Sequence, residues 1–289
     1  MLRVGVVLSG CGVFDGSEIH ESVLTLLALD RAGAQAVCMA PNKNQSEVIN
    51  HLTAQVSHET RNVLVESARI ARGQIRDIRE VRASDLDAVI LPGGYGAVKN
   101  LSNFVWNGDR CWIDGEVYRL LREMFDAKKP IGAVCIAPAV IAKTFAAEKP
   151  RLTIGMDEGT AQTLARMGAR HEKAQVDEIV IDESLLLVST PAYMLAGRIS
   201  EAADGIDRLV QAILRRAGRR QADSSTASLA GAGRIAQRSD SAVSRMVARS
   251  RRAQPADSAV AAIARSDRQT GRTRGRASRP GPRRRAVRA

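Results

Sequence analysis

The sequence predicts an α/β fold in which helices cover both faces of a mostly parallel β-sheet. Short runs rich in Val and Ile alternate with stretches whose apolar residues follow helical spacing. Parallel strands are buried on both faces, which gives them a continuous apolar character, and the intervening helices provide the crossovers. Of the 289 residues, 45% are hydrophobic, so the chain can bury the core of one large domain or of two small ones.

Each element follows from local signals. Serine at position 17 suits a helix N-cap, Gly33 suits a helix end, and Pro138 suits the first turn of a helix. In chain order, the predicted elements are strand 4–8, helix 17–33, strand 36–40, helices 46–53 and 60–71, a strand or connector at 75–78, strand 86–91, helix 115–127, strand 131–135, a helix beginning near residue 138, strand 152–154, helix 160–167, paired strands 179–181 and 185–189, and helix 196–215.

The basic charge of the chain is confined to its C-terminal part. Residues 218–289 contain 18 Arg, no Lys and 4 Asp, which gives a net charge of +14, whereas 1–217 carry a net charge of −2. The segment 218–289 contains no Phe, Trp or Tyr, so we expect it to be disordered. It could contact nucleic acid nonspecifically, but aromatic residues for base stacking and a recognisable binding module are missing. We therefore predict two parts: a catalytic domain at 1–217 and an Arg-rich disordered extension at 218–289.

The four cysteines indicate a reducing compartment. Cys11, Cys38, Cys111 and Cys135 form no C-x-x-C pair and no cluster with histidine at metal-ligand spacing. Neither a disulfide framework nor a metal site is expected. The N-terminal apolar run is too short for a secretory signal, and no run is long enough to cross a bilayer. These observations predict a cytoplasmic protein without a membrane partner.

Cys135 is the first candidate for chemistry. It ends the predicted strand 131–135, and a helical pattern begins directly after Ala137-Pro138. A strand-to-helix turn lifts its side chain out of the core, and amides at the start of the next helix can stabilise a thiolate or an oxyanion. We expect a thiol that ionises at neutral pH. The alternative is a buried structural cysteine.

Two further segments complete the candidate site. Glu18 and Glu21 lie on one helix face near the carboxyl end of the first strand, alongside an apolar stripe formed by Ile19, Val23, Leu26, Leu27 and Leu29. A desolvated carboxyl group at Glu21 would have a raised pKa and could exchange protons with a thiol, whereas a solvated surface carboxylate would not. The turn at Pro92–Gly96, which reads PGGYG, can bring backbone N–H groups close to a ligand, or can be an ordinary strand exit.

Two other site types are not supported. The turn SGCGVFDGSE lacks the dinucleotide spacing, because G-x-G-x-x-G requires glycine at Asp15, and a Walker motif is missing. No histidine follows Cys135 directly, since that position is Ile136. A Cys-His pair cannot be assigned from the sequence, although His20 lies next to Glu21.

Together, these motifs resemble the ElbB group of the DJ-1/PfpI superfamily. The matching segments occur in one order from Leu2 to Arg216 and leave the basic extension uncovered: GVVLSGCGVFDGSEIHE, CMAPNK, ETRNVLVESARIARG, LPGGYGAVKNLSNF, GAVCIAPA, RLTIG and TPAYMLA. The resemblance implies a flavodoxin-like, doubly wound sheet similar to class I glutamine amidotransferases. It also implies a nucleophile at Cys135, a glutamate bonded to its sulfur at Glu21 with Glu18 as the alternative, and oxyanion donors at the N–H groups of Gly94 and Ile136.

The resemblance further implies a glyoxalase of the hydro-lyase type. Such an enzyme converts glyoxal or another small 2-oxoaldehyde into glycolate or the matching 2-hydroxy acid, without cofactor or glutathione, and is commonly a homodimer. Faster glyoxalases and the proteases of the superfamily have histidine beside the cysteine, so Ile136 implies slow turnover and argues against peptidase activity. The alternatives are a non-catalytic redox or stress-response protein with an oxidisable cysteine, and a regulatory protein of isoprenoid metabolism.

Overall fold

Seven strands form the central sheet, and helices cover both of its faces. The structure is a computed structural model that describes residues 1–225, whereas 226–289 lie outside the described part. The helices and strands are β1 (Arg3–Val7), α1 (Ile19–Arg31), β2 (Gln35–Ala40), β3 (Val48–Asn50), β4 (Gln55–Ser57), α2 (Val63–Ile70), β5 (Ile75–Asp77), β6 (Ala88–Leu91), α3 (Tyr95–Lys99), α4 (Phe104–Asn107), α5 (Gly115–Asp126), β7 (Ile131–Val134), α6 (Pro138–Thr144), β8 (Arg151–Leu152), α7 (Glu158–Arg166), β9 (Arg170–His171), β10 (Val180–Asp182), β11 (Leu187–Thr190) and α8 (Ile199–Ser225).

The order of the strands places one end of the sheet in position for chemistry. The central sheet runs β10-β11-β7-β6-β1-β2-β5, and every neighbouring pair is parallel except β10 with β11. After β5 the chain returns across β1 to form β6, so the connections on the two sides of β1 run in opposite directions. Ligands of open α/β sheets bind at such a switch point, beyond the carboxyl ends of the strands. The predicted fold class is confirmed.

The core lies in two layers, one on each face of the sheet. On one face, Leu120, Leu121 and Met124 of α5 are fully buried in a layer that includes residues of α3 and α6. On the other face, α8 contributes Leu209 and Ile213 to a second layer, which also contains residues of α1. Because apolar residues of the strands point alternately into both layers, the continuous apolar runs of the sequence become the shared centre of the molecule.

One predicted helix is wrong. Residues 46–53 form β3 and the turn of an antiparallel hairpin with β4. The Asn50 side chain accepts hydrogen bonds from the N–H groups of Leu52 and Thr53, and the Asp15 carboxylate accepts one from the Ile49 N–H at 2.7 Å. Such side-chain bonds to the backbone compete with helix formation.

The buried face of the first helix contains Glu21 and Leu29 but is more polar than the predicted apolar stripe. Its side-chain cap is Glu18 and not Ser17, whose hydroxyl instead accepts a hydrogen bond from the Ser9 N–H at 2.8 Å. The stripe residues Ile19, Val23 and Leu27 are 42%, 47% and 38% exposed. The buried positions of α1 are Glu21, Ser22, Thr25, Ala28 and Leu29.

Hydrogen bonds make this polar face suitable for burial. The hydroxyl of Ser22 donates to the Glu18 carbonyl and that of Thr25 to the Glu21 carbonyl, both at 2.7 Å. Polar groups can be buried when their donors are paired. The orientation of α1 therefore follows from its side-chain hydrogen bonds as much as from its apolar residues.

The last helix is longer than predicted. It begins and ends later than the predicted 196–215, so 218–225, which composition assigned to the extension, are helical. The remainder of the predicted disordered extension lies outside the described residues, and the boundary at 217 stays a prediction. Within the described part, no helix is long and apolar enough to span a bilayer.

We predict that Leu209→Ala lowers the free energy of unfolding by about 2–5 kcal/mol, because it opens a cavity where α8 packs on the sheet. Leu209 is fully buried, and its Cδ2 atom lies 3.1 Å from the position that a Cβ on Gly132 would take. Urea unfolding followed by circular dichroism measures the effect. The exposed neighbour Asp207→Ala is the control, with an expected change within about 0.5 kcal/mol. Equal effects of the two substitutions would contradict this packing.

Candidate active site

Cys135 occupies a strained turn between β7 and α6. Its φ angle is +61°, in the left-handed region that residues other than glycine rarely adopt. The turn is held because the Cys135 N–H donates to the Thr190 carbonyl at 2.9 Å, and Pro138 begins α6 directly after it. Strain of this kind is common where a side chain must be presented to a ligand. The side chain is 7% exposed, so it lies at the inner end of a cavity and not on the surface.

Glu21 lies beside this sulfur and is completely buried. Its Oε2 atom accepts a hydrogen bond from the Gly93 N–H at 2.9 Å, and its Oε1 atom accepts one from the Tyr193 N–H at 3.1 Å. The carboxyl group also shares a hydrogen bond with the Cys135 thiol. The first turn of α1 is fixed in turn, because the Glu18 carboxylate accepts from the Glu21 N–H at 2.7 Å. Of the two glutamates left open by the sequence, the structure places Glu21 against the sulfur and Glu18 at the cavity wall.

The glycine turn after β6 lies against both Cys135 and Glu21. A Cβ at Gly93 would lie 2.5 Å from the Cys135 Cβ and 2.6 Å from the Glu21 Oε2, so only glycine fits there. Gly94 has φ +93°, and a Cβ on it would lie 2.3 Å from the backbone nitrogen of Glu18. The N–H groups of Gly94 and Ile136 donate to the Cys135 sulfur. The five residues predicted for the site are thus brought together at one end of the sheet.

Burial has the largest effect on the pKa values of both Glu21 and Cys135. Burial and, to a smaller extent, the nearby Glu18 raise the pKa of Glu21 to about 8, although hydrogen bonds with Tyr193, Cys135 and Gly93 act to lower it. Burial also raises the pKa of the Cys135 thiol well above its usual range, as does an ionised Glu21, whereas the N–H groups of Gly94 and Ile136 lower it. The prediction that the Cys135 thiol ionises at neutral pH is therefore wrong for the resting site, because desolvation opposes any charge on the sulfur.

The two groups titrate as one unit. The first proton to leave gives a single negative charge that the carboxyl group and the sulfur share, and the buried setting opposes loss of the second proton. When Glu21 holds the remaining proton, its O–H can donate to a thiolate that the two amides also bind. The reactive form of the site is thus the singly ionised pair, which forms as the pH approaches 8.

The Gly-rich loop at residues 9–17 supports this site through hydrogen bonds to other parts of the protein. Its amides are used within the protein: the Gly10 N–H donates to the Ser67 hydroxyl at 2.9 Å, and the Gly12 N–H donates to the Ser17 carbonyl. The Asn100 amide donates to the carbonyls of Ser9 and Asp15, both at 2.8 Å. The loop is therefore a scaffold that positions the start of α1 and the glycine turn. In the described part of the chain, no group of three or more His, Cys, Asp or Glu could hold a metal ion.

A cavity of 580 Å³ opens onto Cys135. Its walls come from the loop after β1, from α3, α4 and α7, and from the turns after β7 and β11. The lining residues are Val13, Glu18, Gly94, Tyr95, Val98, Phe104, Val105, Gly108, Cys135, Ile136, Asp157, Gly159, Thr160, Thr163, Tyr193 and Met194. None of them is Lys, Arg or His.

The sequence reasoning missed Tyr193 as a site residue. Its N–H holds the Glu21 carboxyl group, its side chain lines the cavity, and its hydroxyl shares a 2.8 Å hydrogen bond with the Nδ1 atom of His20. Tyr193 follows β11, the neighbour of β7, so its place beyond the carboxyl end of a strand was the available signal. Among the four histidines, His20 is linked to the site through this contact, and it bonds to Tyr193 and not to the cysteine.

The DJ-1/PfpI family model matches residues 11–196, a range that contains every residue of this site. The human mitochondrial glutamine amidotransferase-like class 1 domain-containing protein 3 is 43% identical over 227 residues, which cover 75% of this chain and 84% of that protein. The rat mitochondrial ES1 protein homolog is 42% identical, with 75% of this chain and 85% of that protein covered. A crystal structure of an isoprenoid biosynthesis protein with an amidotransferase-like domain from Ehrlichia chaffeensis shares 40% identity and a TM-score of 0.69, over 74% of this chain and 99% of that one.

The relatives correct one prediction. Both mammalian proteins are mitochondrial by name, so the predicted cytoplasmic location is wrong. That prediction depended on the expectation that the sequence contains neither a secretory signal nor a membrane-spanning run. Neither feature distinguishes one aqueous compartment from another.

We predict that Glu21 makes the folded state less stable as the pH rises. The pKa of Glu21 is about 8 in the folded protein and ordinarily 4.5, so the folded state holds the proton more tightly. This contribution is fully present below pH 4.5 and is lost as the pH rises through 8. The Glu21→Gln variant cannot titrate, so its stability relative to the unsubstituted protein should rise by about 2–3 kcal/mol from pH 5.5 to 8.5.

Urea unfolding of both proteins at the two pH values measures this difference. Comparing the change with pH removes the constant cost of replacing an acceptor oxygen by an amide nitrogen. Glu80→Gln, at an exposed position, is the control and should show no such rise. A Glu21→Gln protein whose relative stability does not change with pH would show that this carboxyl group titrates normally.

Proposed function

Because this chain belongs to the DJ-1/PfpI family, we propose that it is a glyoxalase that converts 2-oxoaldehydes into 2-hydroxy acids. The family includes glyoxalase-type and stress-response proteins. The observation that carries the proposal is the buried hydrogen bond between Glu21 and Cys135 at the inner end of a cavity. This contact supports the proposal, because a nucleophile and a group that takes and returns a proton must act on neighbouring atoms of the same substrate.

The first step is addition of the thiol to the aldehyde. The Cys135 sulfur forms a bond to the aldehyde carbon of R–CO–CHO, and the electron pair of the C=O bond moves to oxygen. The N–H groups of Gly94 and Ile136 stabilise the resulting negative charge. Glu21 accepts the thiol proton and passes it to this oxygen, which gives the hemithioacetal R–CO–CH(OH)–S–Cys135.

The second step is an internal transfer of hydrogen. Glu21, ionised again, removes the C–H proton from the former aldehyde carbon, which gives the enediolate R–C(O⁻)=C(OH)–S–Cys135. The hydroxyl proton of the enediolate then passes to the neighbouring oxygen, and Glu21 returns its proton to the neighbouring carbon. The product is the thioester R–CH(OH)–CO–S–Cys135. One carbon is oxidised and its neighbour is reduced, so no external oxidant or reductant is needed. A carboxyl group with a pKa of about 8 suits both directions of this transfer near neutral pH.

The third step is hydrolysis. Water attacks the thioester carbonyl carbon, the C–S bond breaks, and the 2-hydroxy acid R–CH(OH)–COOH leaves while Cys135 regains its proton. The overall reaction adds one water molecule, and glyoxal, in which R is hydrogen, becomes glycolate. Neither glutathione nor another cofactor enters the balance.

Slow turnover is part of the proposal. Ile136 stands directly after the nucleophile, and no histidine lines the cavity within the described residues. Glu21 must therefore move protons at the sulfur without help from a histidine. In addition, burial keeps the pair mainly in its fully protonated form at pH 7.

The alternatives have weaker support. Reversible oxidation favours exposed thiols of low pKa, whereas Cys135 is 7% exposed and burial raises its pKa. A regulatory role in isoprenoid metabolism depends only on the name of the Ehrlichia chaffeensis protein. The predicted homodimer, and the predicted lack of membrane and specific nucleic-acid partners, stay predictions.

We predict that the full-length protein converts glyoxal into glycolate with kcat/KM rising as the pH increases to about 8, because the singly ionised pair is the reactive form. Cys135→Ala should abolish turnover. Glu21→Gln should lower kcat at least about 100-fold, because it cannot move protons, yet it should leave Cys135 open to alkylation. Glycolate formation followed by chromatography, and alkylation by iodoacetamide followed by mass spectrometry, provide the two readouts.

Cys11→Ala is the matched control, because Cys11 is a partly buried free cysteine that does not line the cavity. It should keep full activity. Turnover that survives in Cys135→Ala would disprove the cysteine mechanism. A folded protein that forms no glycolate at any pH between 6 and 9 would disprove the glyoxalase proposal and leave only the family membership.

A further inference from the structure

The cavity is much larger than glyoxal requires. Glyoxal has four non-hydrogen atoms, whereas cavities of roughly 300–1,000 Å³ hold ligands of drug size. The cavity above Cys135 measures 580 Å³. A substrate that occupied only the space around the sulfur would leave most of this volume to water.

Part of the cavity lining forms an apolar wall. Phe104 and Val105 come from α4, Ile136 follows the nucleophile, and Met194 follows Tyr193 in the turn after β11. Val98, on α3, completes this wall and is 2% exposed. A surface of this composition gains free energy by excluding water, so it favours a ligand that covers it with apolar atoms.

The charges at the wall disfavour an acidic substrate. Glu18 and Asp157 line the cavity, and each carboxylate caps a helix: Asp157 accepts a hydrogen bond from the Thr160 N–H at 2.7 Å. Hydrogen bonds from Thr160 lower the pKa of Asp157, so it is ionised at neutral pH. The nearby Lys99, whose Nζ atom lies 5.5 Å from the centre of the Tyr95 ring, is paired with Glu47 at 2.7 Å. An acidic substituent would therefore meet negative charge, and among the described residues no Lys, Arg or His lines the cavity to bind it.

We infer that the cavity selects 2-oxoaldehydes whose second substituent is uncharged, apolar and about the size of a phenyl ring, in preference to glyoxal and to acidic analogues. The inference rests on the proposed glyoxalase function, and it concerns the substituent R and not the reacting carbons. The aldehyde carbon lies against Cys135, and R lies against the wall formed by Val98, Phe104, Val105, Ile136 and Met194.

The test compares three aldehydes with the full-length protein: glyoxal, phenylglyoxal and 4-carboxyphenylglyoxal. Each kcat/KM is divided by the rate at which the same aldehyde reacts with N-acetylcysteine, which removes differences in intrinsic reactivity. Phenylglyoxal should exceed glyoxal by about tenfold or more, and the carboxylated analogue should lose most of this gain. A normalised value for phenylglyoxal equal to or below that for glyoxal would overturn the inference, as would an equal value for the acidic analogue.

A substitution in the wall provides a second readout. Val105 is 40% exposed, so Val105→Ala should fold, and it should lower the phenylglyoxal-to-glyoxal ratio several-fold because it removes apolar surface from the wall. Val56→Ala is the matched control: Val56 is 60% exposed on β4 and does not line the cavity. An unchanged ratio in Val105→Ala would place the substituent elsewhere.

A binding measurement separates the failure of this inference from the failure of the proposed function. The diketones 1-phenyl-1,2-propanedione and butane-2,3-dione have no aldehyde hydrogen, so neither can complete the reaction. The aromatic compound should protect Cys135 from iodoacetamide at a concentration about tenfold lower than butane-2,3-dione does. Selective protection without turnover of any aldehyde would reject the glyoxalase function and keep the selectivity. Turnover of the aldehydes without selective protection would keep the glyoxalase function and reject the selectivity.

Discussion

The hydrogen bond between the buried carboxyl group of Glu21 and the thiol of Cys135 is the interaction on which the rest of the site depends. A fully buried glutamate is costly unless it is neutral or well bonded. Here the amides of Gly93 and Tyr193 bind its two oxygens while burial keeps its pKa near 8. The result is an acid that holds a proton at neutral pH and can still release it.

Several structural features follow from the need to bring this pair together. Glycine is required at positions 93 and 94 because a Cβ at either would collide with the pair or with the start of α1. The left-handed conformation of Cys135 turns its sulfur toward the carboxyl group. The polar buried face of α1 places Glu21 at the carboxyl end of the sheet, where the order of the strands leaves a crevice. The strained turn and the buried carboxyl group therefore lower stability at the site, and the two extensive apolar layers on either side of the sheet offset this loss.

Most of the fold could be predicted from the sequence, because the parallel strands are continuous apolar runs bounded by Gly and Pro. The positions of Cys135 and of the glycine turn followed from the same pattern. The helix predicted at 46–53 failed because side chains such as Asn50 and Asp15 bond to the backbone there, and residue patterns do not show such partners. The contribution of Tyr193 was missed because it acts through a backbone N–H, which every residue except proline has. The ionisation of Cys135 was misjudged because burial depends on tertiary packing.

The most direct test of this account is the protonation state of Glu21 at pH 7. Infrared difference spectra between the unsubstituted protein and Glu21→Gln, recorded from pH 6 to 9, isolate the absorption of this carboxyl group. The account predicts the C=O stretch of a protonated acid at pH 7, which gives way to the carboxylate bands near pH 8. Carboxylate bands already complete at pH 7 would contradict it, because Glu21 would then lose its proton well below pH 8 and burial would not hold its pKa at that value.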